Sequence, residues 1–145
     1  MRILVVNGPN LNMLGKRDVN HYGSFTLEDV EVEIRNTAKA ADVEVEFFQS
    51  NHEGALIDII QVARQKFDGI VINPGAFTHY SYAIRDAIEA SGIPVIEVHI
   101  SDIHNREDFR KISVTEPVCV GQISGRGLLS YVDGLKELVE KINLG

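Results

Sequence analysis

The sequence predicts an α/β fold in which five parallel strands form one sheet with helices on both faces. Short runs of apolar or β-branched residues occur five times along the chain. Segments with helical spacing separate them, so strand and helix alternate from end to end. The first and third runs, Ile3–Val6 and Ile70–Ile72, are nearly continuous in apolar residues. That pattern suits central strands covered on both faces, not a sheet with one wet side.

The elements follow in order. Ile3–Val6 is the first strand. Leu27–Ala41 is the first helix, because Leu27, Val30, Ile34, Ala38 and Ala41 recur at spacings of three and four. Glu28, Asp29, Glu31 and Glu33 crowd its early turns, where the helix dipole favours negative charge, and Thr26 is placed to cap it. Val43–Phe48 is the second strand. Gly54–Phe67 is a helix on the same logic, with Ile57, Ile60 and Ala63 or Arg64 on one face. Gly69–Asn73 is the third strand. Ser81–Ser91 is a helix that stops at Gly92, with Thr78 expected as its cap and His79 near its N-terminus. Val95–Val98 and Val118–Val120 read as strands four and five, and Leu128–Ile142 closes the chain as a helix. The default strand order for such a chain is 2-1-3-4-5, a flavodoxin-like three-layer sandwich. Residues 1–145 are expected to form one domain.

The bulk numbers narrow the function. A hydrophobic content of 44% is that of a globular chain, and a formal charge of −7 argues against a general binder of nucleic acid or acidic membranes. A local cluster of arginines can still recognise an anionic substrate. Cys119 is the only cysteine and lies in an apolar run, so a buried, inert thiol is expected and a cysteine zinc cluster is excluded within one chain. The N-terminal apolar run is too short for a signal peptide or a membrane span, and a cytoplasmic location is expected.

In sheets of this order ligands sit beyond the carboxyl ends of the strands, so the strand ends are where chemistry is sought. After strand one, Asn7 to Gly23 lacks both the P-loop and the dinucleotide glycine patterns. Its Asn7-Gly8-Pro9-Asn10 turn leads into a long connection carrying Lys16, Arg17 and Tyr22, either a functional lid or a solvated loop. After strand two, Gln49-Ser50-Asn51-His52-Glu53 reads as turn and cap. After strand three, Asn73 ends a buried strand, so its amide needs partners from protein or ligand. After strand four, alternation puts Glu97 and His99 on one face and Ile96, Val98 and Ile100 on the other. A carboxylate two residues away can fix one ring nitrogen of His99 and leave the other free for proton transfer. His99 and His104 do not match a zinc spacing, so no metal is expected. Arg106 and Arg110 share a face on a helical turn, where they serve either an anionic, hydroxyl-rich ligand or a surface network with Glu107 and Asp108.

Taken together, the blocks NGPNLNMLGKR with a following YG, QSNHEG, NPGAFTHYSYAIRDA and EVHISDIHNREDFR, with the weaker GQISGRGLLSY, resemble type II 3-dehydroquinate dehydratase over nearly the whole chain. The resemblance implies conversion of 3-dehydroquinate to 3-dehydroshikimate by anti elimination through an enolate. It implies no cofactor, metal or Schiff base, and serves either aromatic biosynthesis or quinate breakdown. By the same resemblance Tyr22 is the base that removes the proton next to the ketone, and Arg17 the essential lid arginine. Asn10 holds the water that stabilises the enolate. His99 is the acid that protonates the leaving hydroxyl, and Glu97 supports it. Asn73, Ile100 and Ser101 match a carboxylate pocket, and His79 and Arg110 match contacts to ring hydroxyls. Arg106 is a second cation near the base. Asp86 reaches the substrate of a neighbouring subunit in a dodecamer built from trimers.

The residue types suit these roles. Tyrosine titrates near about 10, so a tyrosine base needs cations such as Arg17 and Arg106 beside it. The lid departs from the usual pattern at Asp18-Val19-Asn20, and Ser130 stands where glycine is common. A non-catalytic binder of FMN or another anionic ligand fits the same fold, but gives no role to Tyr22 with Arg17 or to Glu97 with His99.

Overall fold

The structure, a computed structural model, describes residues 1–16, 20 and 23–145. Its five strands are β1 (Arg2–Asn7), β2 (Glu44–Gln49), β3 (Gly69–Asn73), β4 (Val95–His99) and β5 (Gly121–Ser124). All pair in parallel, in the expected order β2-β1-β3-β4-β5. Among the described residues four helices cover them: α1 (Leu27–Ala40), α2 (Glu53–Val62), α3 (Tyr82–Ser91) and α4 (Leu129–Leu144).

Strand alternation divides the apolar residues into two cores, because successive side chains point to opposite faces. On one side Ile3, Val5, Val71, Ile96 and Val98 meet α1 and α4 through residues such as Ile34 and Leu138. On the other, Leu4, Val6, Ile70 and Ile72 meet α2 and α3 through Leu56, Ile60, Ile84 and Ile88. Strands β1 and β3 are therefore apolar on both faces, whereas β4 is apolar through Ile96 and Val98 on one face and carries Glu97 and His99 on the other. Thr26 forms the predicted cap and more. Its hydroxyl accepts the Asp29 amide at 3.2 Å while the Asp29 carboxylate accepts the Thr26 amide at 2.9 Å, a reciprocal capping box. Among the described residues no helix is long and apolar enough to cross a membrane.

Three local expectations are corrected. Val118–Val120 is not the fifth strand. Glu116–Val118 forms a 3-10 turn in which the Cys119 amide donates to the Glu116 carbonyl at 2.9 Å. Pro117, with no amide proton and a fixed φ, suits a turn start and not a ladder. The strand is the more polar Gly121–Ser124, paired from Ile96↔Gly121 to His99↔Ser124. Second, the helix expected over Gly54–Phe67 is regular only to Val62 and tightens into a 3-10 turn over Ala63–Gln65. Third, Thr78 does not cap α3. Ser81 does, its hydroxyl accepting the Ile84 amide at 3.0 Å, while Thr78 and His79 lie in the preceding 3-10 turn Gly75–His79.

One close contact sets the position of the strand that carries Glu97 and His99. A Cβ at Gly134 of α4 would lie 2.5 Å from Val98 Cγ1, in the middle of β4. Glycine there lets the helix approach the sheet more closely than any side chain allows. Gly134→Ala gains up to about 1 kcal/mol in helix propensity but overpacks the core by more. The expected net result is a loss of about 1–2 kcal/mol, read as a lower midpoint in urea unfolding; an unchanged midpoint would show that the contact relaxes freely.

Candidate active site

The carboxyl ends of β1, β3 and β4 open onto one cavity. Asn10, Asn73, His79, His99, Ile100, Ser101, Arg106 and Arg110 all line it. Sequence separation between these residues runs to a hundred positions; the parallel sheet brings them together because it places consecutive strand ends side by side.

The loops after β1 and β3 are in direct contact. The Gly8 amide donates to the Asn73 carbonyl at 2.8 Å, and a Cβ at Gly8 would lie 2.4 Å from the Pro74 carbonyl oxygen. Glycine at this position is what lets the Asn10 turn meet the His79 turn. Asn10 itself sits at φ 69°, a left-handed conformation that asparagine tolerates better than most residues. Its amide donates to Asn51 Oδ1 at 3.0 Å, and Gln49 Nε2 reaches the same Asn51 oxygen at 3.2 Å and the Gly8 carbonyl at 3.2 Å. The Gln49–Glu53 stretch thus does more than turn the chain: it holds the backbone of Asn10. Nothing in its composition distinguished this from ordinary turn formation.

Asn73 finds its partners within the protein. Its Oδ1 accepts the Gly75 amide at 3.1 Å, and its Nδ2 donates to the Tyr131 hydroxyl at 3.0 Å. Tyr131 in turn donates to Asn7 Oδ1 at 2.5 Å. Burial pushes the Tyr131 hydroxyl above its ordinary range, against the opposing hydrogen bond from Asn73, so it stays a neutral donor. One α4 side chain thereby locks the amides that end β1 and β3. With one proton of Asn73 Nδ2 given to Tyr131, the other is left for the cavity side.

The centre of the site is a buried ion. Glu97 is fully buried and His99 nearly so, and His99 Nε2 lies 2.9 Å from Glu97 Oε2, as strand alternation requires. Burial alone would raise the Glu97 carboxyl. The His99 ring, by hydrogen bond and charge, and hydrogen bonds from Thr115 and Gln122 outweigh it and hold the group down at about 2. An ionised Glu97 accepts only, so His99 Nε2 carries the proton of that bond and Nδ1 is the nitrogen left for the cavity.

His79 is held differently. Its Nδ1 lies 2.7 Å from the Ile112 carbonyl, to which it donates, leaving Nε2 as an acceptor. Burial lowers its protonation below the ordinary histidine range, the bond to Ile112 opposes this, and the charges of His99 and Arg110 add to the lowering. Arg106 Nη1 donates to Ser101 Oγ at 3.2 Å. Arg110 Nε lies 2.8 Å from Glu107 Oε2, without the alignment of a hydrogen bond, and Arg106 Nε lies 3.9 Å from the same oxygen. The two arginines therefore line the cavity and engage Glu107 at once.

Asp86 does not join the cluster. It lies exposed on α3 and does not line the cavity. Tyr22 and Arg17, like Asp18 and Val19, lie outside the described residues. Among the described residues no group of three or more His, Cys, Asp or Glu side chains is arranged to hold a metal ion. Cys119 is half-buried, and burial together with the charges of Glu97 and Glu116 raises its thiol far above the usual range, so it is a poor nucleophile at neutral pH.

A depressed carboxyl stabilises the fold above its unfolded titration and loses that contribution as pH falls through the folded value. For Glu97 the window runs from about 4.5 down to about 2, and the contribution is worth about 3 kcal/mol. The unfolding free energy of Glu97→Gln should fall less steeply than wild type over that window, by most of this amount. Parallel slopes would show that Glu97 is not ionised in the native state.

The chain is similar to known proteins over nearly its whole length. A family model described as Dehydroquinase class II matches residues 1–139. A 3-dehydroquinate dehydratase from Thermotoga neapolitana is 62% identical over 143 residues, 99% of this chain and 97% of the relative. The crystal structure of a type II dehydroquinase from Butyrivibrio crossotus superposes with a TM-score of 0.93 at 57% identity, covering 96% of this chain and 97% of that one. The type II dehydroquinase from Propionibacterium acnes does so with a TM-score of 0.91 at 39% identity, covering 96% of each.

Proposed function

The chain belongs to the class II dehydroquinase family, and on that premise we propose that it is a 3-dehydroquinate dehydratase, a hydro-lyase that forms 3-dehydroshikimate and water. The observation that carries this reading is the Glu97-held ring of His99 at a cavity that also gathers neutral amides and two arginines. A binder of FMN has no use for such an acid.

In this reading the substrate carboxylate is held by Asn73 and by the Ile100–Ser101 segment. Its ring hydroxyls meet Arg110 and the Nε2 acceptor of His79. Tyr22, as phenolate beside Arg17 and Arg106, takes the proton next to the ketone, breaking a C–H bond and placing the electron pair on the ketone oxygen as an enolate. Asn10 supports that oxygen through a water, using a neutral amide that stabilises developing charge without adding its own. The enolate then re-forms the ketone, the double bond forms in the ring, and the C–O bond to the leaving hydroxyl breaks. His99 delivers a proton from Nδ1 to that hydroxyl, which departs as water; Glu97 stabilises the imidazolium before the transfer. Neither step calls on a metal, an imine or a cofactor. Asp86, exposed on α3, completes the site of a neighbouring subunit in an assembly of twelve built from trimers. The enzyme works in the cytoplasm, as one domain.

Purified protein given 3-dehydroquinate should produce the ultraviolet absorbance of a conjugated enone, and should do so in EDTA and after borohydride treatment with substrate. Silence from folded protein would sink the enzyme reading. His99→Ala and Tyr22→Phe should each lower kcat by roughly a hundredfold or more, with the far-ultraviolet dichroism of wild type. A kcat within a few-fold of wild type would remove that residue from its role. Light scattering should give a mass far above 16.1 kDa; a fully active monomer would refute the shared contact by Asp86.

A further inference from the structure

The carboxylate that orients His99 is held from outside its own strand. Thr115 Oγ1 donates to Glu97 Oε1, and Ser113 Oγ donates to Glu97 Oε2 at 2.7 Å. Gln122 Nε2, on β5, donates to the same Oε2 at 2.6 Å. With His99 Nε2, four donors converge on a group that offers about four lone-pair sites. The hydroxyls are themselves aligned from behind. Ser113 Oγ accepts the Glu116 amide at 3.0 Å, and Thr78 Oγ1 lies 2.8 Å from both Ser113 Oγ and Thr115 Oγ1. Because Ser113 and Thr115 spend their protons on Glu97, Thr78 is the donor to one of them, and every proton in the chain points towards the carboxylate.

The segment carrying these hydroxyls is irregular but fastened. The Val114 amide donates to the Thr78 carbonyl at 2.7 Å, and the Ile112 carbonyl receives His79 Nδ1. The same four residues, Ile112 to Thr115, thus hold His79 and Glu97, which lie on different elements of the site. From this geometry we infer that Ser113, Thr115 and Gln122 are positioning residues of the acid: they keep Glu97 in the form that accepts from His99 Nε2, and so present His99 Nδ1 to the cavity. This inference rests on the hydro-lyase reading above.

The competing arrangement is a neutral pair in which Glu97 has taken the shared Nε2 proton and His99 keeps only its Nδ1 proton, as a neutral imidazole that is a far weaker acid than the imidazolium. Fewer donors on Glu97 favour that pair. Among the described residues the charged and titratable groups that interact with Glu97 are His99 on β4, His79 in the turn after β3 and Cys119 before β5, the last of which also feels Glu116. Cys119 is held protonated, and removing a hydroxyl leaves all four in place.

The test is the pH profile of kcat and KM for 3-dehydroquinate with wild type, Thr115→Val and Thr115→Ser. Thr115→Val keeps the shape and removes the donor. It should lower kcat by roughly tenfold to a hundredfold, leave KM within a few-fold, and move the acidic limb of kcat to higher pH. Thr115→Ser should restore both the rate and the limb. Wild-type kinetics in Thr115→Val would overturn the inference, as would an equal loss in Thr115→Ser with the limb unmoved, which marks a packing defect. If Thr115→Val does not fold, Ser113→Ala is read by the same criteria. An inactive wild type would defeat the hydro-lyase reading itself, an outcome distinct from either.

Discussion

The site depends on keeping one carboxylate ionised where water does not reach. Glu97 points out of β4, a strand whose other residues are two Val, one Ile and His99, and it is fully buried. An isolated charge in such a place would cost several kcal/mol and would neutralise by taking up a proton. Here it is stabilised by four hydrogen bonds from neutral or cationic donors. Much of the local architecture follows from that need. The irregular stretch between Arg110 and Glu116 is anchored to Thr78 because its hydroxyls must arrive at fixed positions, and β5 is polar at Gln122 because an amide is needed there.

The same principle, polar groups fixed by rigid apolar elements, orders the rest of the cavity. Tyr131 reaches from a fully buried position on α4 to lock the two asparagines at the ends of β1 and β3. Gly8 and Gly75 let the following loops touch, which puts Asn10 and His79 around one space. Few of these side chains retain a choice of rotamer or partner. A site preorganised in this way does not have to order itself during reaction, which is where electrostatic catalysis gains most of its advantage.

The sequence was most informative where structure is periodic. The two-residue repeat of β4 predicted that Glu97 and His99 share a face, since alternation is a purely local property of extended chain. The five-element alternation predicted the parallel α/β sheet, whose default order the structure has, and Thr26 was legible as the cap of the helix that follows it. What stayed hidden lies in irregular backbone. Ser113 and Thr115 are ordinary polar residues until the segment folds back against Thr78, and no local rule foretells that return. Asn51 looked like a turn residue because it is one, and its grip on Asn10 is a tertiary contact. The apolar run Val118–Val120 misled because hydrophobicity reports burial as readily as strand; Pro117 and the turn it favours decided the backbone. Of the site residues, Asn10, Asn73, His79, Ile100, Ser101, Arg106 and Arg110 meet His99 in one cavity, whereas Asp86 is exposed and does not line it.

Neutron diffraction from deuterium-exchanged crystals at neutral pH would examine the central ion pair directly. The account predicts a deuteron on His99 Nε2, directed at a Glu97 carboxylate that carries none, with the deuterons of Ser113, Thr115 and Gln122 all aimed at the same two oxygens. A deuteron on either oxygen of Glu97, or a bare Nε2 on His99, would contradict it.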